Sequence, residues 1–154
     1  MGSIFDMQQS CPQTMRVLRD GAGTSPVPEG ISSGAFTVQM LLSSRTEGEM
    51  TAMRAFVPPG IVTHWHSHPR GQLLFVLDGV GRVQRARDNA DDDGAEGDDV
   101  VELHAGDAVW FAPNERHWHG AAADSSFEYL SVQPVKDGSA VAWFEPVKQE
   151  SLVK

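Results

Sequence analysis

The sequence predicts an all-β fold, a jelly roll or barrel formed by a single domain. Three observations carry that expectation. Roughly eight to ten short apolar segments recur along the chain, each of strand length. Turn residues separate them at regular intervals, drawn from 15 glycines and 9 prolines in 154 residues. No long segment shows the 3.6-residue periodicity of an amphipathic helix, and no repeat of about 20–50 residues is present. Many short strands with evenly spaced turns belong to sandwiches and barrels.

The elements follow in order. Residues 1–34 are rich in Gly, Ser and Pro and read as an irregular N-terminal arm, with a short strand or turn near 15–18. The barrel occupies 35–147. It opens where Phe36, Val38, Met40 and Leu42 alternate with Thr37, Gln39 and Leu41, the period of two that buries one face of a strand. A second strand covers 51–57 and stops at Pro58-Pro59-Gly60. Strands over 64–68 and 72–77 follow, the latter ending at an Asp78-Gly79 turn, and 81–87 comes next. An acidic loop separates this from 100–104, and Ala105-Gly106-Asp107 turns into 108–111. Segments 116–120 and 127–133 come after Pro113-Asn114. Residues 141–146 close the set, leaving 148–154 as a C-terminal tail.

Composition narrows the function classes. Hydrophobic residues make up 40% of the chain, enough for one core, and the formal charge is −9. That charge argues against a nucleic-acid partner, since phosphates need a basic patch. Seven acids and no base lie in 88–99. Their spacing does not fit an EF-hand calcium loop, so the segment reads as a solvated loop between strands. No uncharged apolar stretch is long enough to span a membrane. The start, Met1-Gly2-Ser3-Ile4-Phe5-Asp6, lacks the basic and apolar regions of a secretory signal. Cys11 is the single cysteine and has no internal partner for a disulfide. A cytoplasmic location is the expectation.

Four histidines fall into two pairs spaced by two: His66 and His68, then His117 and His119. On a strand such residues project from one face, so each pair can aim two imidazoles at one point. Gln72 follows a Pro69-Arg70-Gly71 bend, within reach of the same point. Imidazole is the commonest neutral ligand for first-row transition metals. His66, His68 and Gln72, joined by a histidine of the second pair, are therefore candidate donors to one metal ion. His64 shares strand parity with His66, and His119 shares a face with His117, so both are candidate acid–base residues. His104, just before a Gly-Asp turn, reads as a loop residue. Trp65 and Trp118 flank ligands, point to the opposite face, and are expected to pack. Arg54 is expected to face outward, its alternative being to bind a substrate carboxylate.

The framework around these residues resembles a known family. From Gly60 the spacing is five residues to His66, one to His68, three to Gln72 and six to Gly79, which is similar to the first cupin motif with Gln72 where Glu is usual. The run Gly106-Asp107-Ala108-Val109-Trp110-Phe111-Ala112-Pro113-Asn114-Glu115-Arg116-His117 resembles the second cupin motif. It has one extra residue before Pro113, Glu115 for Gly, and Ala121 for Asn. Within the cupins, the wording His66-Ser67-His68-Pro69-Arg70-Gly71-Gln72 and His117-Trp118-His119-Gly120 is similar to bacterial hydroxynitrile lyases and to cupins allied to carboxymuconolactone decarboxylases. This resemblance implies a double-stranded β-helix, a jelly-roll cupin barrel. It also implies one divalent ion held by His66, His68, Gln72 and His117, manganese first, with iron, zinc or nickel as alternatives. Those lyases carry a His where Tyr129 stands here, which makes Tyr129 a third candidate acid–base residue. Cupins often dimerise by exchanging N-terminal strands, so a homodimer that exchanges 1–34 is expected.

Four neutral donors leave a divalent ion its full charge, which strengthens it as a Lewis acid and favours its reduced state. The expected function is therefore a metal-dependent lyase, decarboxylase or isomerase acting on a small oxygenated organic molecule. The alternatives are an iron-dependent dioxygenase and a non-catalytic small-molecule binder.

Overall fold

The computed structural model describes residues 9–87 and 97–152. Among them the chain forms ten strands and one 3-10 turn. The strands are β1 (Ser25–Pro26), β2 (Thr37–Leu42), β3 (Met50–Val57), β4 (His66–Ser67), β5 (Gln72–Arg85), β6 (Val101–His104), β7 (Ala108–Phe111), β8 (His117–Ala121), β9 (Phe127–Pro134) and β10 (Ala142–Trp143). The turn covers Gln149–Leu152. Every pairing is antiparallel. The sheet runs β1-β2-β3-β9-β5-β8-β4-β10, and β6 and β7 add to β5.

Alternation decides what faces the interior. On β9, Phe127, Tyr129, Ser131 and Gln133 are buried while the residues between them are half-exposed. On β5, Gln72, Leu74 and Val76 turn inward and Leu73, Phe75 and Leu77 outward. The inward sets of β2, β3, β5 and β9 meet around Val38, Ala55, Leu74, Val76 and Phe127. Each large apolar side chain so buried contributes about 1.5–3 kcal/mol. A smaller cluster lies on the other side of β8, where Trp65 and Trp118 pack with Val62 and Val147. The two tryptophans therefore pack as their parity predicts, and Trp118 Nε1 donates to Gln84 Oε1 at 2.7 Å.

The all-β expectation holds, but a closed jelly-roll barrel does not form. The sheet is open and curled into a half-barrel whose edges stay 17 Å apart. The strands at its two ends, β1 and β10, have two residues each and pair on one side only. Strands so short offer too little ladder to draw the edges together, and Pro26 has no backbone donor to give.

Residues 72–85 form one strand where the sequence indicates two segments parted by a turn. The ladder with β9 shifts register between Val76 and Asp78, a bulge in place of a hairpin. Gly79 sits there at φ 77°, and a Cβ on it would lie 1.9 Å from Ser126 O. Glycine lets β9 begin against β5, which bends the long strand so that its two halves serve different parts of the sheet. The N-terminal half pairs with β7 and β9 and the C-terminal half with β6 and β8.

The described part of the N-terminal arm packs against β2 and the segment before β4. Ser25 pairs with Val38, Ser32 bridges to Thr63, and Gln39 Nε2 donates to the carbonyls of Arg19 and Ala22. Residues 15–18, where a short strand or turn is expected, form neither, and 25–26 pairs instead. Most of the acidic run, 88–96, lies outside the described residues. Its end is ordered by pairing, since Asp98 N donates to Arg85 O and the Asp98 carboxylate pairs with Arg85.

Candidate metal centre

β4 and β8 bring the histidines together. Their one paired register is His66 opposite His117, so the two clusters of the sequence meet across a strand pair. His68 follows β4, and Gln72 opens β5. Ring centroids are 4.3 Å apart for His66 and His117, 5.1 Å for His66 and His68, and 5.4 Å for His68 and His117. One ligand nitrogen from each of the three lies within 4.8 Å of the others. The three rings form a cluster able to hold a divalent metal ion.

The hydrogen bonds fix which nitrogen is offered. Each Nδ1 lies against a backbone carbonyl: His66 on His64 O at 2.8 Å, His68 on Ala140 O at 2.7 Å and His117 on Glu115 O at 2.9 Å. A carbonyl only accepts, so each Nδ1 carries the proton and each Nε2 is left with a lone pair. The Nε2 atoms of His68 and His117 are buried and have no partner, as is Gln72 Oε1. Phe111 stacks on the His117 ring at 3.5 Å, holding its plane. Burial, reinforced by His117 and His68, holds His66 well below the usual imidazole range. Burial also lowers His68, to about 4, and His117. Rings kept neutral, with their second nitrogen tied to an acceptor, are what a transition-metal ligand requires. The residues present therefore fit the ion.

Gln72 lies against His68, and its Nε2 donates to Gln133 Oε1 at 2.9 Å. Its oxygen is thereby left for the cluster. Gln133 in turn donates to Thr51 O at 3.1 Å and to Thr51 Oγ1 at 2.7 Å.

A cavity of about 520 Å³ opens onto these groups. His66, His68, Gln72, His119 and Tyr129 line one end of it. Much of the remaining wall is apolar, including Val27, Ile31, Phe36, Met40, Met53 and Trp143. Exposed Arg45 stands among the lining residues too.

His119 is buried with both ring nitrogens unpartnered, 5.0 Å from the Tyr129 ring and 5.1 Å from His66 between centroids. Burial lowers its pKa and raises that of the Tyr129 phenol. His64 is placed differently from the sequence expectation. It lies ahead of β4, half-buried, and is not among the cavity's lining residues, while its carbonyl holds the His66 ring. Arg54 faces outward, bonded to Glu128 at 3.0 Å and to Asp20. His104 is exposed beside Glu102. The sequence pattern did not single out Gln133, Thr51, Trp143 or Arg45. Only the parity of Gln133 with Tyr129, four residues earlier on one strand, signalled an inward position.

Comparison with known proteins agrees with this architecture. The chain is 47% identical over 92 residues to an (R)-mandelonitrile lyase of Granulicella tundricola, a match covering 60% of this chain and 63% of that protein, less than two thirds of its length. A cupin-like protein of Thermotoga maritima superposes with a TM-score of 0.72 at 29% identity, over 83% of this chain and 90% of that one. A polyketide cyclase of Streptomyces resistomycificus shares the fold, with a TM-score of 0.63 at 16% identity over 90% and 91% of the two chains. Residues 53–133 match the family model of the cupin domain. That span holds all four proposed donors as well as Tyr129 and His119, and the chain belongs to the cupin family.

Proposed function

We propose that this cupin is a metal-dependent enzyme of the lyase, decarboxylase or isomerase type, acting on a small oxygenated organic molecule, with manganese as its ion and Gln72 as the fourth donor. One observation carries the reading: three imidazoles whose Nδ1 atoms are bonded to backbone carbonyls bring their ligand nitrogens within 4.8 Å of one another, and an amide oxygen whose NH2 is bonded away stands beside them, next to a largely apolar cavity. The likeness to a mandelonitrile lyase supports the lyase side of this reading. When bound, a divalent ion supplies Lewis acidity toward a substrate oxygen.

The chain's own residues do the rest. Met40, Met53 and Trp143 receive an apolar substrate body and keep water from the reacting end. His119, neutral through burial and with no internal partner, accepts a proton at a ring nitrogen. Tyr129, its phenol held protonated by burial, donates a hydrogen bond from Oη and does not act as a base. The half-buried imidazole of His64 is left outside this proton path.

A homodimer belongs to the same proposal. Leu73, Phe75, Leu77 and Trp110 expose apolar surface on the outer face of β5 and β7. Patches of this kind mark contact surfaces.

Reconstituting the metal-free protein with manganese, zinc and iron under nitrogen tests the reaction class. Turnover without oxygen, including some with redox-inert zinc, is the expected result. Activity confined to iron and dependent on oxygen would assign the chain to the oxygenases.

A further inference from the structure

We infer that Gln133 is a positioning residue of the metal centre: anchored on Thr51, it locks the Gln72 amide so that Oε1, and not Nε2, is presented to the three histidines. The inference rests on the reading of Gln72 as a donor to the ion. Its starting point is a backbone atom. Thr51 O can only accept, and Gln133 Nε2 donates to it at 3.1 Å. Thr51 Oγ1 gives its proton to Gln133 O at 3.0 Å, so it too acts as an acceptor toward Gln133 Nε2, at 2.7 Å. Both bonds turn the Gln133 nitrogen toward β3, and its Oε1 is left facing Gln72. Gln72 meets an acceptor there, so it must offer its NH2, at 2.9 Å. Its Oε1 is then the buried atom without a partner. Flipping either amide would set like atoms against each other where no water competes, at a cost that buried unsatisfied polar groups make large.

The same relay explains why a glutamine stands where the family motif has Glu. A carboxylate at position 72 has no proton for Gln133 Oε1, and Gln133 cannot turn round without losing Thr51 O. All three side chains are almost wholly buried, Thr51 at 3%, Gln72 at 1% and Gln133 at 5% exposure, so solvent cannot relieve the conflict. The relay thus sets the charge of the donor set as well as its orientation.

The test uses the full chain, with manganese affinity measured by chelator competition and the visible spectrum of the cobalt-loaded protein as a report on donor geometry. Gln72→Leu is expected to weaken manganese binding and change the cobalt spectrum. Gln133→Leu should do the same with Gln72 intact, by about 10–100-fold in affinity, the usual range for a residue that orients a ligand. Gln133→Met, which has similar length but no amide to anchor on Thr51 or to meet Gln72, should act like Gln133→Leu and covers the case in which the leucine variant does not fold. Gln72→Glu should favour manganese about tenfold more in the Gln133→Leu background than in the wild type, because the opposing oxygen is gone. If Gln72→Leu changes neither affinity nor spectrum, Gln72 is not a donor and the proposed site itself fails. If Gln72→Leu weakens binding but Gln133→Leu does not, or if the Gln72→Glu and Gln133→Leu substitutions act additively, the positioning role alone is overturned.

Discussion

At the scale of single residues, hydrogen bonding separates the three clustered histidines from His119. His66, His68 and His117 have each spent Nδ1 on a backbone carbonyl, whereas both ring nitrogens of His119 stay open. His119→Gln should therefore keep close to one metal per chain by elemental analysis while kcat falls by about 10²–10⁴, the usual worth of a placed acid–base group. His66→Ala should do the reverse and lose the metal. A His119→Gln variant that loses the ion would make His119 a ligand and sink the division of roles. The two histidine pairs are readable in the sequence because spacing by two aims side chains at one face, a local rule that needs no knowledge of the fold, whereas the choice of His117 over His119 rests on the motif resemblance. The Gln133 relay is not readable, because its partners lie 61 and 82 residues away and only the sheet brings them together. His64 is absent from the cavity lining for a local reason. Parity with His66 assumes a strand that already runs at 64, and β4 begins at His66.

At the scale of elements, β5 shows where local pattern gives out. Asp78-Gly79 carries the signature of a hairpin turn, yet the strand continues through it. What decides is a contact with Ser126, remote in sequence, over which glycine alone fits. Gly79→Ala should cost more than the ~1 kcal/mol of an ordinary glycine-to-alanine change, since it adds a clash with backbone to a positive φ. Thermal unfolding measures this, and an unchanged Tm would mean that β9 can move away from β5 freely. The acidic segment gives the opposite expectation. Gly97 packs on Gln84 and Asp98 pairs with Arg85, so the strand ends depend on 97–98. Replacing only 88–96 with a short Gly-containing turn should leave turnover within a few fold, whereas loss of folding or of metal would show the loop to be structural.

At the scale of the whole molecule, the strand pattern was readable and the closure was not. Each strand's period of two is local, but whether a sheet closes depends on what its end strands can pair with. Here both ends are two residues long. The open half-barrel buries four neutral imidazoles in one wall, and this couples the stability of the entire metal-free protein to pH. Burial holds His66, His68, His117 and His119 below the value of about 6.5 that an unfolded histidine has, with His68 at about 4. Below about pH 6.5 the unfolded chain therefore binds more protons than the native one, so stability rises with pH. The contribution is fully present above that point and is lost as pH falls from there toward 4. His68 alone accounts for about 3 kcal/mol across its window, because each tenfold drop in proton affinity is worth about 1.4 kcal/mol. Urea denaturation of the metal-free protein from pH 7 to pH 5, above the range where most carboxylates titrate, should show a steep fall in stability. The His119→Gln variant should show a shallower slope, by up to one proton. A flat profile over that range would mean that the four rings take up protons in the folded state as readily as in the unfolded one, and that the wall of the cavity is not the dry, neutral cluster described above.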